Sequence, residues 1–169
     1  MSKRLGGLSA GVFSLCLLSQ AVWAVKENEV APAVVMPSLK DASTIDLSQL
    51  RGKVVLLDFW ASWCGPCRKS LPLYNDLRKN FAGQPFEIVA VSVDASKEDA
   101  LGFLQKHALD YLVGWDASAK LAETYAVPGM PSSYVISPEG VVKHVHKGFH
   151  EGEIDKLKQE IQALLPKKM

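Results

Sequence analysis

The sequence predicts one α/β domain: a central mixed β-sheet flanked by helices, entered through an N-terminal β-hairpin. Three observations predict it. The apolar run "KVVLLDFWA" has the valine- and leucine-rich composition of a strand covered on both faces. Segments with helical spacing alternate with further strand-like runs, as where "CRKSLPLYNDLRKNF" precedes "FEIVAVSVD". The chain has 169 residues, 48% hydrophobic and 22% charged, enough for one ordinary core and too few for two comfortable ones.

The elements follow in order. Residues 1–24 carry Lys3 and Arg4, then an uncharged apolar run, then the small residues Ala21 and Ala24. That is the order of a signal peptide cleaved after Ala24. Residues 5–25 are also long enough to remain as an uncleaved membrane anchor, and both readings stay open. Cys16 reads as an apolar residue of this segment. Either outcome puts the domain outside the cytosol. Residues 25–32, polar and proline-bearing, are expected as a linker, and residues 33–166 as the folded domain.

Within that domain, two short apolar segments around the turn-forming "KDAS" predict the hairpin. The strand 54–60 follows, then a helix over 67–81 with Leu73 and Leu77 four apart and Leu71 and Tyr74 three apart. Pro72 is expected to kink that helix. A strand spans 86–94. A helix opens near Ser96 with Ala100, Phe103, Leu104 and His107 on one face, and a shorter one surrounds Leu121, Ala122 and Tyr125. "SSYVIS" and "VVKHVHKGF" are strands joined at "PEG", where Gly140 is available for positive φ. Ile154, Leu157, Ile161 and Leu164 mark the last helix. The order is β-hairpin, then β-α-β-α-α-β-β-α, with helices on both sheet faces and strands 54–60 and 86–93 parallel through a right-handed crossover.

Charge and cysteine content narrow the function. There are 19 basic and 18 acidic residues, scattered, for a net charge of +1, which excludes an extended nucleic-acid surface. Outside the targeting segment there are two cysteines, Cys64 and Cys67, too few for a disulfide scaffold in an oxidising compartment. Placed between a buried strand and a helix, Cys64 falls at a helix N-terminus, where free N–H groups and the helix dipole favour a thiolate. Cys67 lies one turn further in, able to resolve a mixed disulfide. Gly65 and Pro66 hold the two sulfurs at bonding distance, and proline in a first helical turn costs little. Half a zinc site is the first alternative; it needs two more ligands, and His144 and His146 are the only candidates. A purely structural disulfide is the second, but so small a loop removes little chain entropy. Redox chemistry fits best, and no metal or cofactor is expected.

Asp58 sits in the middle of the apolar strand. It is either an edge carboxylate tied up by water or lysine, or a buried acid of raised pKa that ferries a proton for Cys67. An unpaired buried acid is costly, which favours the second reading. Trp60 and Trp63 are expected to pack around the cysteines and shape the rim. In "VPGMPSSYVI", a cis Met130–Pro131 bond would expose the backbone of Met130 to an extended substrate segment, whereas a trans proline would simply open a strand. The sequence leaves the two open. His107, His144, His146 and His150 are read as surface or structural.

"DFWASWCGPC", a helix proline five residues past the second cysteine, and "PGMPSSYVI" together resemble the thioredoxin superfamily. The leading hairpin and "LSQLRGKVVLLDFWASWCGPCRKSLP" are similar to its TlpA/ResA/DsbE-type exported branch, over residues 31–165. The resemblance implies a thioredoxin-like fold with an inserted helix and strand within 86–126. It also implies a nucleophilic Cys64, a resolving Cys67, a redox-active Cys64–Cys67 disulfide, and a cis Pro131 facing the pair. Two departures stand out: Ser70 occupies the position where some members carry a glutamate, and Gly65-Pro66 is the dipeptide of thioredoxin itself. The implied function is a periplasmic thiol:disulfide oxidoreductase that reduces exported proteins, apocytochrome c or metal-loading proteins among them. A membrane electron donor of the DsbD/CcdA type would recharge it. A disulfide oxidant or isomerase, and a thiol peroxidase, are the alternatives.

Overall fold

The computed structural model describes residues 24–166. The expected signal or anchor therefore lies almost wholly outside the described residues, and among these no helix is long and apolar enough to cross a membrane. Strands β1 (Val35–Pro37) and β2 (Thr44–Asp46) form the antiparallel hairpin. Asp46 ends it by accepting the Ser48 N–H at 2.8 Å, which caps a 3-10 turn at Leu47–Leu50.

The main sheet holds β3 (Val54–Trp60), β4 (Phe86–Ser92), β5 (Leu112–Trp115), β6 (Ser132–Ile136) and β7 (Val142–Lys147), in the order β5-β4-β3-β6-β7. β3 pairs parallel with β4 and antiparallel with β6, so the cysteine-bearing turn leaves the central strand. Side chains alternate along β3. Val54, Leu56 and Trp60 enter one half of the core, and Val55, Leu57 and Phe59 enter the other.

The first half is covered by α1 (Gly65–Asn80), α2 (Lys97–Lys106) and α4 (Glu153–Leu164), through Leu71, Leu77, Phe103, Leu157 and Ile161. The second half is closed by the hairpin, by the short α3 (Lys120–Thr124) and by the start of the domain. The inward face of α1 is Cys67, Ser70, Leu71, Tyr74 and Leu77; Leu73, expected among them, is exposed. Pro72 lies inside α1, and the Arg68 carbonyl it cannot bond belongs to an exposed residue open to water.

Two expectations are corrected. The strand β5, invisible in the residue pattern, lies between α2 and α3 and pairs parallel with β4; it is the inserted strand that the family resemblance implied. Residues 25–32 are not a free linker. The Asn28 N–H donates to the Val142 carbonyl at 2.7 Å, Val142 N–H returns to Glu29 at 2.9 Å, and Val25 is buried beside Tyr125. The open edge of β7 takes up these groups, which explains how a polar, proline-bearing stretch docks.

Candidate active site

Cys64 is the N-cap of α1 and Pro66 lies in its first turn. The two sulfurs are joined in a disulfide with the Cα atoms 5.3 Å apart, and Cys64 Sγ also accepts the Cys67 N–H at 3.2 Å. Gly65 and Pro66 are exposed, whereas Cys64 is 4% exposed and Cys67 fully buried. Of the two, Cys64 alone keeps any exposure.

The tryptophans divide. Trp63 stands 71% exposed on the rim, while Trp60 is fully buried against Phe103 with ring centroids 5.0 Å apart. The Met130–Pro131 bond is cis. Met130 packs against the core cluster that contains both cysteines, and a cleft of about 310 Å³ runs along Gly129, Met130, Pro131 and Lys147. A larger cavity of about 460 Å³ lies between the hairpin and α3 and touches none of these residues.

Asp58 is buried in the face of β3 that α1 covers. Its Oδ1 accepts from Ser133 Oγ at 2.6 Å and from the Tyr74 hydroxyl at 3.3 Å, while Oδ2 has no partner among the described residues. Burial pushes the carboxyl up to about 7, against the pull of the two hydroxyls. The same burial, with the neighbouring Asp58 charge, drives the Tyr74 phenol well above its ordinary range. Tyr74 and Cys67 share the inward face of α1 two turns apart, so the acid and the inner cysteine belong to one packed unit.

Three supporting groups escaped the sequence reading. Ser133 reads as an ordinary strand residue and Tyr74 as an apolar helix position; only the β3–β6 pairing, with Asp58 opposite Ser133, joins them to the acid. Asp94 follows β4. Its carboxylate accepts the Ser62 N–H at 3.1 and 3.0 Å and the Ser62 hydroxyl at 2.7 Å, which fixes the turn just before Cys64. A carboxylate two residues past a buried parallel strand, level with the cysteine turn, is the signal that could have flagged it. Ser70 donates to the Cys67 carbonyl at 3.2 Å and brings no acid to the pair.

The AhpC/TSA family model matches residues 28–145. The thiol-disulfide oxidoreductase ResA of Oceanobacillus iheyensis is 36% identical over 108 residues, 64% of this chain and 56% of that protein. The ResA of Bacillus subtilis is 36% identical over 124 residues, 73% of this chain and 69% of that protein. Among solved structures, one assigned as thiol:disulfide interchange protein DsbE, from Chlorobium tepidum, has a TM-score of 0.80 at 36% identity and covers 83% of this chain and 99% of its own. The chain thus spans little more than half the length of the first of these relatives and nearly all of the DsbE structure.

Proposed function

The chain belongs to the AhpC/TSA family, with relatives among the ResA and DsbE thiol-disulfide oxidoreductases, and from that premise we propose that it is a protein-disulfide reductase working outside the cytosol. The observation that carries the reading is the bonded Cys64–Cys67 pair at the N-terminus of α1, with a buried acid of raised pKa on the face that α1 covers.

The reaction runs in two exchanges. The Cys64 thiolate attacks one sulfur of a client disulfide, forms a mixed disulfide and expels the other client sulfur as a thiolate. Cys67, losing its proton, then attacks Cys64 Sγ, restores the internal disulfide and releases the second client sulfur. Two electrons have passed to the client, which leaves as a dithiol. The N–H groups and dipole at the start of α1 stabilise the attacking thiolate. Asp58 takes the proton that Cys67 gives up, a task suited to a carboxyl that titrates near neutrality. Met130 and Pro131 present the backbone edge on which an extended client segment lies, with Trp63, Gly65 and Pro66 forming the rest of the contact rim and Trp60 bracing it from within.

The electrons are resupplied by a membrane donor of the DsbD/CcdA type. The clients are exported proteins, with apocytochrome c and metal-loading proteins as candidates, and residues 1–24 deliver the domain to the periplasm either as a cleaved signal or as a tether. A thiol peroxidase reading gains nothing from the site, since Cys64 is paired rather than alone. The test is reduction of insulin by the pre-reduced protein, followed as precipitation of the freed B chain. Stoichiometric reduction that vanishes in Cys64→Ser supports the proposal; an inert reduced protein overturns it.

A further inference from the structure

The contact between β7 and α4 is polar where its surroundings are apolar. His146, 4% exposed, has Nδ1 against Glu153 Oε1 and Nε2 2.7 Å from Glu160 Oε2. The two glutamate side chains are themselves only 12% and 11% exposed. A neutral imidazole carries one N–H and one lone pair, so between two carboxylates it points that lone pair at an anion. The imidazolium donates from both nitrogens and offsets one of two poorly hydrated charges.

The neighbouring charges do not replace it. On α4, the exposed Lys156 reaches Glu153 and Glu160 only at 3.9 and 4.0 Å. His150, in the loop before α4, is exposed and lies 2.9 Å from the other Glu153 oxygen. On β7 itself, His144 is 3.5 Å from Glu160 and 4.0 Å from Glu27 of the N-terminal segment. On β6 the residue paired with His146 is Ser133, whose hydroxyl serves Asp58 and lies 3.3 Å from Tyr74 of α1.

The clamp closes a short loop, residues 148–152, that touches both parts of the active site. Gly148 N–H donates to the Pro131 carbonyl at 2.8 Å. Phe149 meets Tyr74 edge-on with ring centroids 6.4 Å apart, and Tyr74 in turn bonds Asp58.

We propose that His146 is a positioning residue: as an imidazolium between Glu153 and Glu160 it pins α4 to β7, holds the 148–152 loop against Pro131, and so tightens docking of a disulfide-bearing segment at the Met130–Pro131 turn. The clamp is complete when both ring nitrogens carry a proton to donate, one to each glutamate, and is broken when either donor is lost. The proposal rests on the reading of this turn as the client-binding edge.

The test follows KM and kcat for a peptide disulfide, with dithiothreitol re-reducing the Cys64–Cys67 pair and its uncatalysed rate subtracted, from about pH 5.5 to 8.5 in the wild type, His146→Gln and Glu160→Gln. Nitrogen-15 NMR of the wild type, in parallel, monitors the His146 ring and the Gly148 amide. The expected result is a wild-type KM that rises about threefold or more with pH, with Gly148 moving at the same midpoint as the ring. In both variants KM should stay at the high-pH wild-type value, with kcat still governed by the cysteines. A ring that does not titrate in that range, a Gly148 amide indifferent to it, or a wild-type KM profile in the variants would overturn the clamp. If a variant does not fold, the wild-type NMR still decides. A wild type that never reduces the peptide sinks the oxidoreductase reading instead, and leaves the coupling of ring and Gly148 to be judged on its own.

Discussion

The Ser133 hydroxyl donates to Asp58 Oδ1 at 2.6 Å, from the neighbouring strand and 75 residues away in sequence, where neither residue meets solvent. Among the described residues, that bond, with the weaker one from Tyr74, concentrates donation on one carboxylate oxygen and leaves the other without a partner. Both hydrogen bonds favour the charged form and restrain the rise that burial imposes. Ser133→Ala and Tyr74→Phe should therefore each move Asp58 titration further up, with the larger effect at Ser133. Carbon-13 NMR of the Asp58 carboxyl measures this directly. A downward move would contradict the account.

The same carboxyl governs stability against pH. The folded protein holds the Asp58 proton up to about pH 7, whereas an unfolded carboxyl has released it above its ordinary value of 3.8. The folded state thus binds more protons between those limits, and from this group stability declines as pH rises through that window and levels off above it. Asp58→Asn should flatten this decline and stabilise the protein at alkaline pH by a few kcal/mol, because each pH unit between the folded and unfolded titrations is worth about 1.4 kcal/mol. Denaturant titrations at several pH values check it; an unchanged slope in the variant would count against a buried, raised acid.

The proposed order of attack, Cys64 before Cys67, is open to a trapping test. With Cys64 4% exposed and Cys67 fully buried, Cys67→Ser should accumulate a mixed disulfide with a client or with a small aromatic disulfide, and Cys64→Ser should not. Mass spectrometry of the trapped adducts distinguishes the two. Equal trapping by both variants would remove the assignment.

A structural prediction concerns the join between hairpin and sheet. A Cβ placed on Gly114 of β5 would come within 2.5 Å of the Met36 Cε, and Met36 is buried and has little room to turn aside. Gly114→Ala should cost about 1–3 kcal/mol by overpacking, read as a lower denaturant midpoint. A neutral result would mean that the hairpin is more loosely seated than the packing indicates.

Much of this architecture was legible in sequence because its signals are local. The apolar run of β3, the "CGPC" turn and the helical spacing after it lie within 30 residues of one another, and the family resemblance added the cis Pro131. What stayed hidden depends on distant pairing. The four residues of β5 show no two-residue alternation and contain Gly114, so only their place beside β4 makes them a strand. The composition of residues 25–32 says loop, yet their backbone groups are taken up by the edge of β7. Asp58 was visible as an anomaly, but its two hydroxyl partners come from β6 and α1. His146, read as surface or structural, is a buried group because α4 brings two glutamates to it.

The central claim is that Cys64 and Cys67 pass electrons to client disulfides, and the reduction potential of the pair tests it most directly. Equilibration with graded thiol buffers, followed by the emission of Trp60 and Trp63, measures it. The account predicts a value near that of thioredoxin, about −270 mV. A value near that of the strong oxidants, about −120 mV, would contradict it and make the protein a donor of disulfides rather than their reductant.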